Sequence, residues 1–277
     1  STLCKRLDEE IKSFKEQPLN GFDAPFVMVD ATYFKARENH KIVSKAFMVA
    51  LAFKSDGHRE IIGFEVFDSE DNYSWYSFLN NLKERGLKAP KVIVSDSHKS
   101  IRKAIAEVFP STAWQRCQVH LMRNILDKTP LKYKEGLKVE LREMFNASTC
   151  EEARKIKNRI IADYEEVAEK AMQILETGFE DSMTMMNLPE YIRIKLRTTN
   201  YLERLNREFK RRSDVIQVFP NEASIMRLMG AVAIEYNDKG ITASRVYSES
   251  RYIGMQEQIT VEYKEIALKQ LADLQAA

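Results

Sequence analysis

The sequence predicts an α/β fold in which helices flank a mixed five-stranded sheet and an all-helical segment is inserted. Three apolar stretches rich in β-branched and aromatic residues lie within residues 26–68, and two shorter ones follow between helical patterns. From residue 121 to about 196, apolar residues recur three and four positions apart with charges between them. Strands that alternate with helices favour a sheet covered by helices, and the later stretch predicts a separate helical insertion.

The composition predicts a soluble globular protein of one large or two ordinary domains. Of the 277 residues, 44% are apolar, which is enough for a substantial core. The formal net charge of +2 argues against uniform coating of nucleic acid but permits a local basic surface. No apolar run approaches the roughly 20 residues of a membrane-spanning helix, and no signal-peptide pattern is seen. Three widely spaced cysteines fit a reducing compartment, so we expect a cytoplasmic protein with no membrane partner.

The first third of the chain predicts a helix, three antiparallel strands and a second helix. Residues 1–17 place apolar side chains on one side of a helix and are followed by turn formers. The strand-like stretches are 26–36, 45–55 and 59–69. The turn signal SDGH at 55–58 joins the second stretch to the third. Residues 72–86 then show helical spacing, with Gly86 as the stop.

The next elements predict further strands and helices. KVIVSD at 91–96 is almost wholly apolar, which is typical of a strand buried on both faces. A helix is predicted at 98–109 and a fifth strand at 112–120. Beyond the inserted segment, helices are predicted at 197–212 and 221–237.

Asp30 interrupts an apolar strand, where Asp is among the least favoured residues. Alternation places it on the same face as Phe26, Met28 and Thr32. An exposed or edge position, where Asp does little, would explain it. A functional role for the carboxylate is the other interpretation.

Asp96 lies where the apolar strand at 91–96 ends and a helix begins. Asp96 or Ser97 could cap that helix, because both residue types satisfy the free amides of a first turn. A loop beyond the carboxyl end of a parallel strand is also where such sheets place reactive groups. Both interpretations stay open on the sequence alone.

A basic helix is predicted at RTTNYLERLNREFKRR, residues 197–212, where six of sixteen residues are Lys or Arg. Cations recur at helical spacing and predict a phosphate-binding stripe, although a solvated helix face gives the same pattern. Glu203 lies among them and could form a capping box with Asn200, or it could hold a functional carboxylate. The residues that we assign to DNA binding are Arg197, Asn200, Arg204, Arg207, Lys210, Arg211 and Arg212.

Asp30, Asp96 and Glu203 together have a common chemical rationale. Mg²⁺ and Mn²⁺ prefer carboxylate oxygens, and two such ions can activate an oxygen nucleophile and stabilise a leaving oxygen in phosphoryl transfer. Two carboxylates about 4 Å apart repel by roughly 4 kcal/mol at an effective dielectric near 20, so such a cluster requires cations. We therefore expect the three acids to bind two Mg²⁺ or Mn²⁺ ions while the basic helix holds DNA phosphates.

CQVH at 117–120 contains a CxxH pair, Cys117 and His120. A tetrahedral zinc site needs four ligands, and three cysteines and four histidines provide no second pair at suitable spacing. The pair is explained either by a buried Cys and a hydrogen-bonded His or by a place beside a catalytic pocket. His98, two residues after Asp96, could face the same pocket or lie on the surface.

Four stretches resemble the bacterial insertion-sequence transposases related to the plant Mutator element. They are DATYFK (30–35), VSDSHKSI (94–101), WQRCQVHLMRN (114–124) and TTNYLERLNREFKRRSDVIQVFPNEAS (198–224). The resemblance extends over residues 1–237, and the four motifs in order make it highly specific.

This resemblance implies a ribonuclease H-like core whose acidic triad is Asp30, Asp96 and Glu203, with the helical insertion between the second and third acids. It implies an enzyme that binds the terminal inverted repeats of its element, nicks one strand and uses the freed 3′ hydroxyl to attack target DNA. Cys117 and His120 match the family's C-x-x-H signature. Action on two element ends favours a homodimer, and binding to DNA would place this bacterial cytoplasmic protein on the nucleoid.

The expected domains combine the element order with this resemblance. They are an N-terminal helix and linker (1–22), a catalytic core (23–120 and 197–240), a helical insertion (121–196) and a C-terminal helical extension (241–277). Family members carry a DNA-binding region before the helix that starts here at Ser1, so we expect reading of the terminal repeats to be weakened or absent. A ribonuclease H-like nuclease or resolvase without joining activity, or a non-catalytic DNA-binding derivative, would fit the same residues.

Overall fold

The computed structural model of the protein describes residues 2–241 and 244–276. Residues 1, 242, 243 and 277, which belong to the predicted terminal segments, lie outside the described residues. The chain divides into two compact units. The first unit is Ser1–Ile93, His98–Ala113 and Thr199–Ala277, and the second is Val94–Ser97 and Trp114–Thr198. None of the helices in the described ranges has the length and apolar content that crossing a membrane requires.

The predicted mixed five-stranded sheet flanked by helices is confirmed. Its strands are β1 (Phe26–Glu38), β2 (Lys41–Phe53), β3 (Arg59–Phe67), β4 (Val92–Ser95) and β5 (Ala113–Arg116). They are arranged in the order β3-β2-β1-β4-β5, so β1 lies at the centre of the sheet. β1 pairs with β2, and β2 with β3, in antiparallel fashion.

Helices account for most of the remaining regular structure. In chain order they are α1 (Thr2–Glu16), α2 (Asn72–Glu84), α3 (Lys99–Val108), α4 (Gln118–Asp127), α5 (Leu131–Asn146), α6 (Cys150–Ser182), α7 (Glu190–Leu196), α8 (Asn200–Ser213), α9 (Glu222–Ile241), α10 (Glu249–Ile253) and α11 (Gln256–Ala276). A short 3₁₀ helix, Thr184–Asn187, precedes α7.

A two-residue turn joins β1 to β2. Asn39 and His40 both have positive φ angles, 48° and 63°, as a type I′ hairpin turn requires. Pairing runs from Phe26 opposite Phe53 to Glu38 opposite Lys41. Because the turn lacks the usual glycine, the sequence did not indicate it, and β2 begins four residues earlier than predicted.

The fifth strand is shorter than the predicted stretch 112–120. β5 ends at Arg116, and residues 118–120 form the first turn of α4. Gln118, Leu121 and Ile125 are buried at helical spacing, so burial of one helix face explains the difference.

The second unit has its own apolar core built from helices, and all regular structure from residue 121 to residue 196 is helical, as predicted. Leu121 and Ile125 of α4, Leu137 and Leu141 of α5, and Leu175 of α6 are fully buried. This core gives the unit an interior that does not depend on strand pairing.

α6 folds back on itself at Ala168, where the backbone is not helical (φ −145°, ψ 44°). Lys157 Nζ donates to both carboxylate oxygens of Glu176, at 2.9 and 2.8 Å, and Arg154 Nη2 lies 3.0 Å from Glu180 Oε1. Residues nineteen apart in an unbroken helix are separated by about 28 Å, so these pairs require two antiparallel arms. The sequence predicted the helical character of this segment but not the bend.

Candidate functional site

Asp30 lies in the middle of the central strand and is partly buried. The interpretation of Asp30 as an edge residue is therefore wrong. Its cross-strand partner is Val49 of β2, and side chains directly opposite each other in an antiparallel pair project from the same face. Asp30 consequently shares a face with Val49 and with the residues of β2 that alternate with it.

α8 packs on that face of the sheet. Near its start, the ring of Tyr201 lies 5.4 Å from that of Phe53, and further along, the ring of Phe209 lies 5.1 Å from that of Phe47. Phe47 and Phe53 flank Val49 on one side of β2 by alternation. Asp30 therefore faces α8.

Two hydrogen bonds hold the Asp30 carboxylate. The backbone N of Ala31 donates to Oδ1 at 2.9 Å, and Nδ2 of Asn206 in α8 donates to Oδ2 at 2.8 Å. Sequence reasoning did not select Asn206. Its position three residues after Glu203, on the same side of a predicted helix, is the signal that would have found it.

Glu203 lies one turn before Asn206 on α8, and its Oε1 atom is buried. The capping-box interpretation required Asn200 to be the N-cap, but Asn200 is the first helical residue and Thr199 is the N-cap, without a side-chain capping bond. That interpretation is wrong. Since residues three apart on a helix share a face, with Cβ atoms about 5 to 6 Å apart, Glu203 lies on the side of α8 that approaches Asp30.

Asp96 directly follows β4 and belongs to the second unit. The capping interpretation of Asp96 is wrong, because α3 begins at Lys99 and has His98 as its N-cap, without a side-chain capping bond. The preceding residue, Ser95, is fixed within this unit: Trp114 Nε1 donates to its hydroxyl at 2.8 Å and Cys117 N donates to its carbonyl at 2.7 Å. The structure thus assigns Asp30 and Glu203 to one unit and Asp96 to the other.

Arg116, at the end of β5, interacts electrostatically with Asp96. Burial lowers the pKa of Arg116, and the nearby carboxylates of Asp181 and Asp96 oppose that shift. Asp96 therefore has a cationic neighbour within its own unit.

The donor set around Asp30 suits a hard divalent cation. Asp30 and Glu203 offer carboxylate oxygens, and Asn206 offers an amide oxygen, which are the ligand types that Mg²⁺ and Mn²⁺ prefer. Asn206 Oδ1 is buried and accepts no hydrogen bond from the residues that the structure describes. Over residues 2–241 and 244–276, no three His, Cys, Asp or Glu side chains form a ready-made metal cluster.

The cations of α8 fall into two classes. Arg204, Arg207 and Lys210 are exposed. Arg211 and Arg212 both bind Glu208, with Nε to carboxylate distances of 2.8 and 2.9 Å, and these bonds lower the pKa of Glu208 to about 2. Glu208 therefore neutralises part of the positive charge at the end of the helix.

Two other predicted DNA-binding residues lie at the start of this region. Asn200 is exposed. Arg197 is half-buried, donates from Nη1 to the carbonyl of Phe145 and donates from Nη2 to Asn146 Oδ1 at 2.6 Å. Burial lowers its pKa. Arg197 thus holds the end of α5 within the second unit.

The signature pair, Cys117 and His120, and the nearby candidate His98 have different surroundings. Cys117 is fully buried and is the N-cap of α4. His120 lies in the first turn of α4 and is partly buried. His98 is partly buried before α3. Cys117 is thus buried, as one interpretation of the CxxH pair expects, and a role of the pair beside a catalytic pocket stays a prediction.

The family model described as "Transposase, Mutator family" matches residues 1–243. The transposase for insertion sequence element IS256 in transposon Tn4001 of Staphylococcus aureus is 36% identical over 249 residues, which are 89% of this chain and 64% of that protein. The transposase for element ISRM5 of Rhizobium meliloti (strain 1021) is 36% identical over 274 residues, which are 98% of this chain and 66% of that protein. The chain thus spans slightly less than two thirds of the length of these relatives.

Proposed function

Because the chain belongs to the Mutator family of transposases, we propose that it is the catalytic core of a DDE-type enzyme that cleaves DNA at the ends of a mobile element and joins the freed 3′ hydroxyl to target DNA. The observation that supports this most directly is the placement of Asp30 at the centre of the sheet, facing α8, which carries Glu203 one turn from the hydrogen-bond partner of Asp30. A strand interior disfavours Asp, and a catalytic role explains its presence.

In this proposal Asp30, Asp96 and Glu203 hold Mg²⁺ or Mn²⁺, most simply as two ions. When bound, such ions supply activation of the attacking oxygen and stabilisation of the leaving oxygen. Asp30 and Glu203 are assigned as ligands because of the geometry of the first unit. Asp96 is assigned because of its sequence motif. The carboxylates would orient the reacting phosphodiester by holding its counter-ions.

The proposed contacts with DNA phosphates come from the helix that carries Glu203. Arg207 and Lys210 follow Glu203 by four and seven residues, so they lie on the same side of α8, and both are exposed. Cations beside the acid would hold the strand on either side of the cleaved bond. The partners proposed are the terminal inverted repeats, target DNA and a second copy of the protein, in the bacterial cytoplasm and at the nucleoid when DNA is bound.

The test is cleavage of a duplex that contains an element end, with Mg²⁺ or Mn²⁺ present. Asp30→Asn and Glu203→Gln should each reduce cleavage by at least about a hundredfold, since even loss of a residue that only supports a ligand costs about 10- to 100-fold. Glu208→Gln, in the same helix, is the matched control and should retain cleavage. Undiminished cleavage by Asp30→Asn would refute the proposal.

The products distinguish this function from its closest alternative. A transposase yields molecules in which the 3′ end of the element is joined to target DNA, whereas a related nuclease or resolvase would yield hydrolysed ends without joined strands. Gel analysis of end-labelled substrate with added target plasmid measures both. Hydrolysis that depends on Asp30, with no joined product, would favour the nuclease or resolvase over the transposase.

A further inference from the structure

We propose that Asn206 is a positioning residue for the Asp30 carboxylate, and that its amide oxygen accepts a hydrogen bond from a water molecule that arrives with the divalent cation. This inference rests on the proposed function. It concerns a residue on α8 that is neither acidic nor basic and whose side chain is half-buried.

The hydrogen bond from Asn206 determines which way its amide points. A carboxylate oxygen only accepts hydrogen bonds, so the amide nitrogen of Asn206 must face Asp30 Oδ2, 2.8 Å away. Asp30 Oδ1 is occupied by the backbone N of Ala31 at 2.9 Å. With each of its oxygens bonded, the carboxylate is held in one orientation relative to α8, which a ligand for a small cation requires.

The surroundings of the amide oxygen of Asn206 indicate that a ligand binds beside it. Asn206 Oδ1 is buried, and among the residues that the structure describes it has no hydrogen-bond donor. Buried acceptors without a donor are rare in folded proteins because leaving one unused costs stability. The missing donor is supplied by a coordinated water, since Mg²⁺ usually keeps several waters when it binds a protein.

Asn237 shows how an asparagine with a purely structural role differs. Its Oδ1 accepts from Ile61 N and its Nδ2 donates to Ile61 O, both at 2.8 Å. Asn237 is also half-buried in a helix of the first unit. Both of its amide atoms are used by the backbone of β3, whereas Asn206 uses one atom, on a carboxylate.

The experiment compares Asn206→Leu with Asn237→Leu, each of which removes an amide while keeping the number and branching of the side-chain heavy atoms. Mn²⁺ affinity is measured by electron paramagnetic resonance of the free ion, and the melting temperature is measured without metal. We expect both variants to melt lower, but only Asn206→Leu to bind Mn²⁺ at least tenfold more weakly, with Asn237→Leu within twofold of the unaltered protein. Asn206→Ala gives the same comparison should the Leu variant not fold.

Mn²⁺ affinity of both Asn206 variants within twofold of the unaltered protein would overturn this inference. Asp30→Asn is measured in parallel. If Asp30→Asn abolishes Mn²⁺ binding while the Asn206 variants do not weaken it, the inference fails and the proposed function stands. If the unaltered protein binds no Mn²⁺, or binds it equally well without the Asp30 carboxylate, both fail.

Discussion

Arg207 and Arg211 are one turn apart on α8 but differ in their surroundings. Both side chains are exposed, but the guanidinium of Arg211 binds both carboxylate oxygens of Glu208, at 2.8 and 2.6 Å. A cation already bonded to a carboxylate has less to gain from a phosphate. The residues of the predicted stripe are therefore unequal in what they can contribute to DNA binding.

We predict that Arg207→Ala weakens DNA binding about equally for all sequences and reduces the slope of log affinity against log salt by about 0.9, as expected for one lost phosphate contact. Arg211→Ala should change the slope by clearly less. Fluorescence anisotropy at several salt concentrations between about 50 and 200 mM, a range over which one phosphate contact changes the affinity roughly threefold, measures both slopes. A loss confined to one DNA sequence, or a larger effect at Arg211, would contradict this prediction.

At the scale of single residues, sequence reasoning selects what breaks a pattern. Asp30 was found because an acid is unexpected in an apolar strand, and Glu203 because an acid lies among cations. Asn206 was missed because an asparagine on a polar helix breaks no pattern, and its importance depends on a contact with a residue 176 positions away. Such contacts are set by the packing of α8 on the sheet, which periodicity does not reveal.

The two arms of α6 are joined by two ion pairs of unequal burial. The Lys157 side chain is only 8% exposed while Glu176 is 58% exposed, and in the second pair Arg154 and Glu180 are 45% and 60% exposed. A buried cation that loses its partner is costly, whereas an exposed pair contributes little. The first pair should therefore matter more for the fold-back of α6.

We predict that Glu176→Ala lowers the free energy of unfolding by about 3 kcal/mol, because it leaves a buried ammonium group uncompensated. Glu180→Ala should cost no more than about 1 kcal/mol. Urea denaturation followed by circular dichroism provides both values. Equal costs for the two variants would show that the burial of Lys157 is unimportant.

At the scale of elements, most strands and helices were predicted to within a few residues, because burial of one face imposes a regular spacing. The bend at Ala168 was not predicted, because the apolar spacing of α6 continues through the bend. Contacts between the two arms of α6 stabilise it. The turn at Asn39 and His40 was missed for a local reason, the absence of glycine. The ribonuclease H-like assignment and the domain boundaries remain predictions.

For the whole molecule, the proposed metal site predicts that divalent cations stabilise the folded state. At a concentration 100 times its dissociation constant, a ligand that binds only the folded protein adds about 2.7 kcal/mol. For a chain of this size, each kcal/mol corresponds to roughly 2 to 4 °C in melting temperature, so we expect millimolar Mn²⁺ to raise it by several degrees. Differential scanning fluorimetry measures the shift.

Asp30→Asn should abolish most of this rise, whereas Asp56→Asn, a change in the turn after β2, should not. An unaltered melting temperature at millimolar Mg²⁺ and Mn²⁺ would favour a DNA-binding protein without catalytic activity. The curated relatives contain sequence beyond the two thirds that match this chain.

The hairpin formed by β1 and β2 makes the proposed chemistry sensitive to the length of the chain. Eight residues lie between Asp30 and Asn39, and eight lie between His40 and Val49, the cross-strand partner of Asp30. Where no bulge absorbs it, one residue gained or lost in β1 between Asp30 and the turn would place the carboxylate on the other face of the sheet while the strands still pair. A sequence with that change would keep all three acids and lose the proposed site, so the number of residues between Asp30 and the turn is a further criterion for recognising an intact relative.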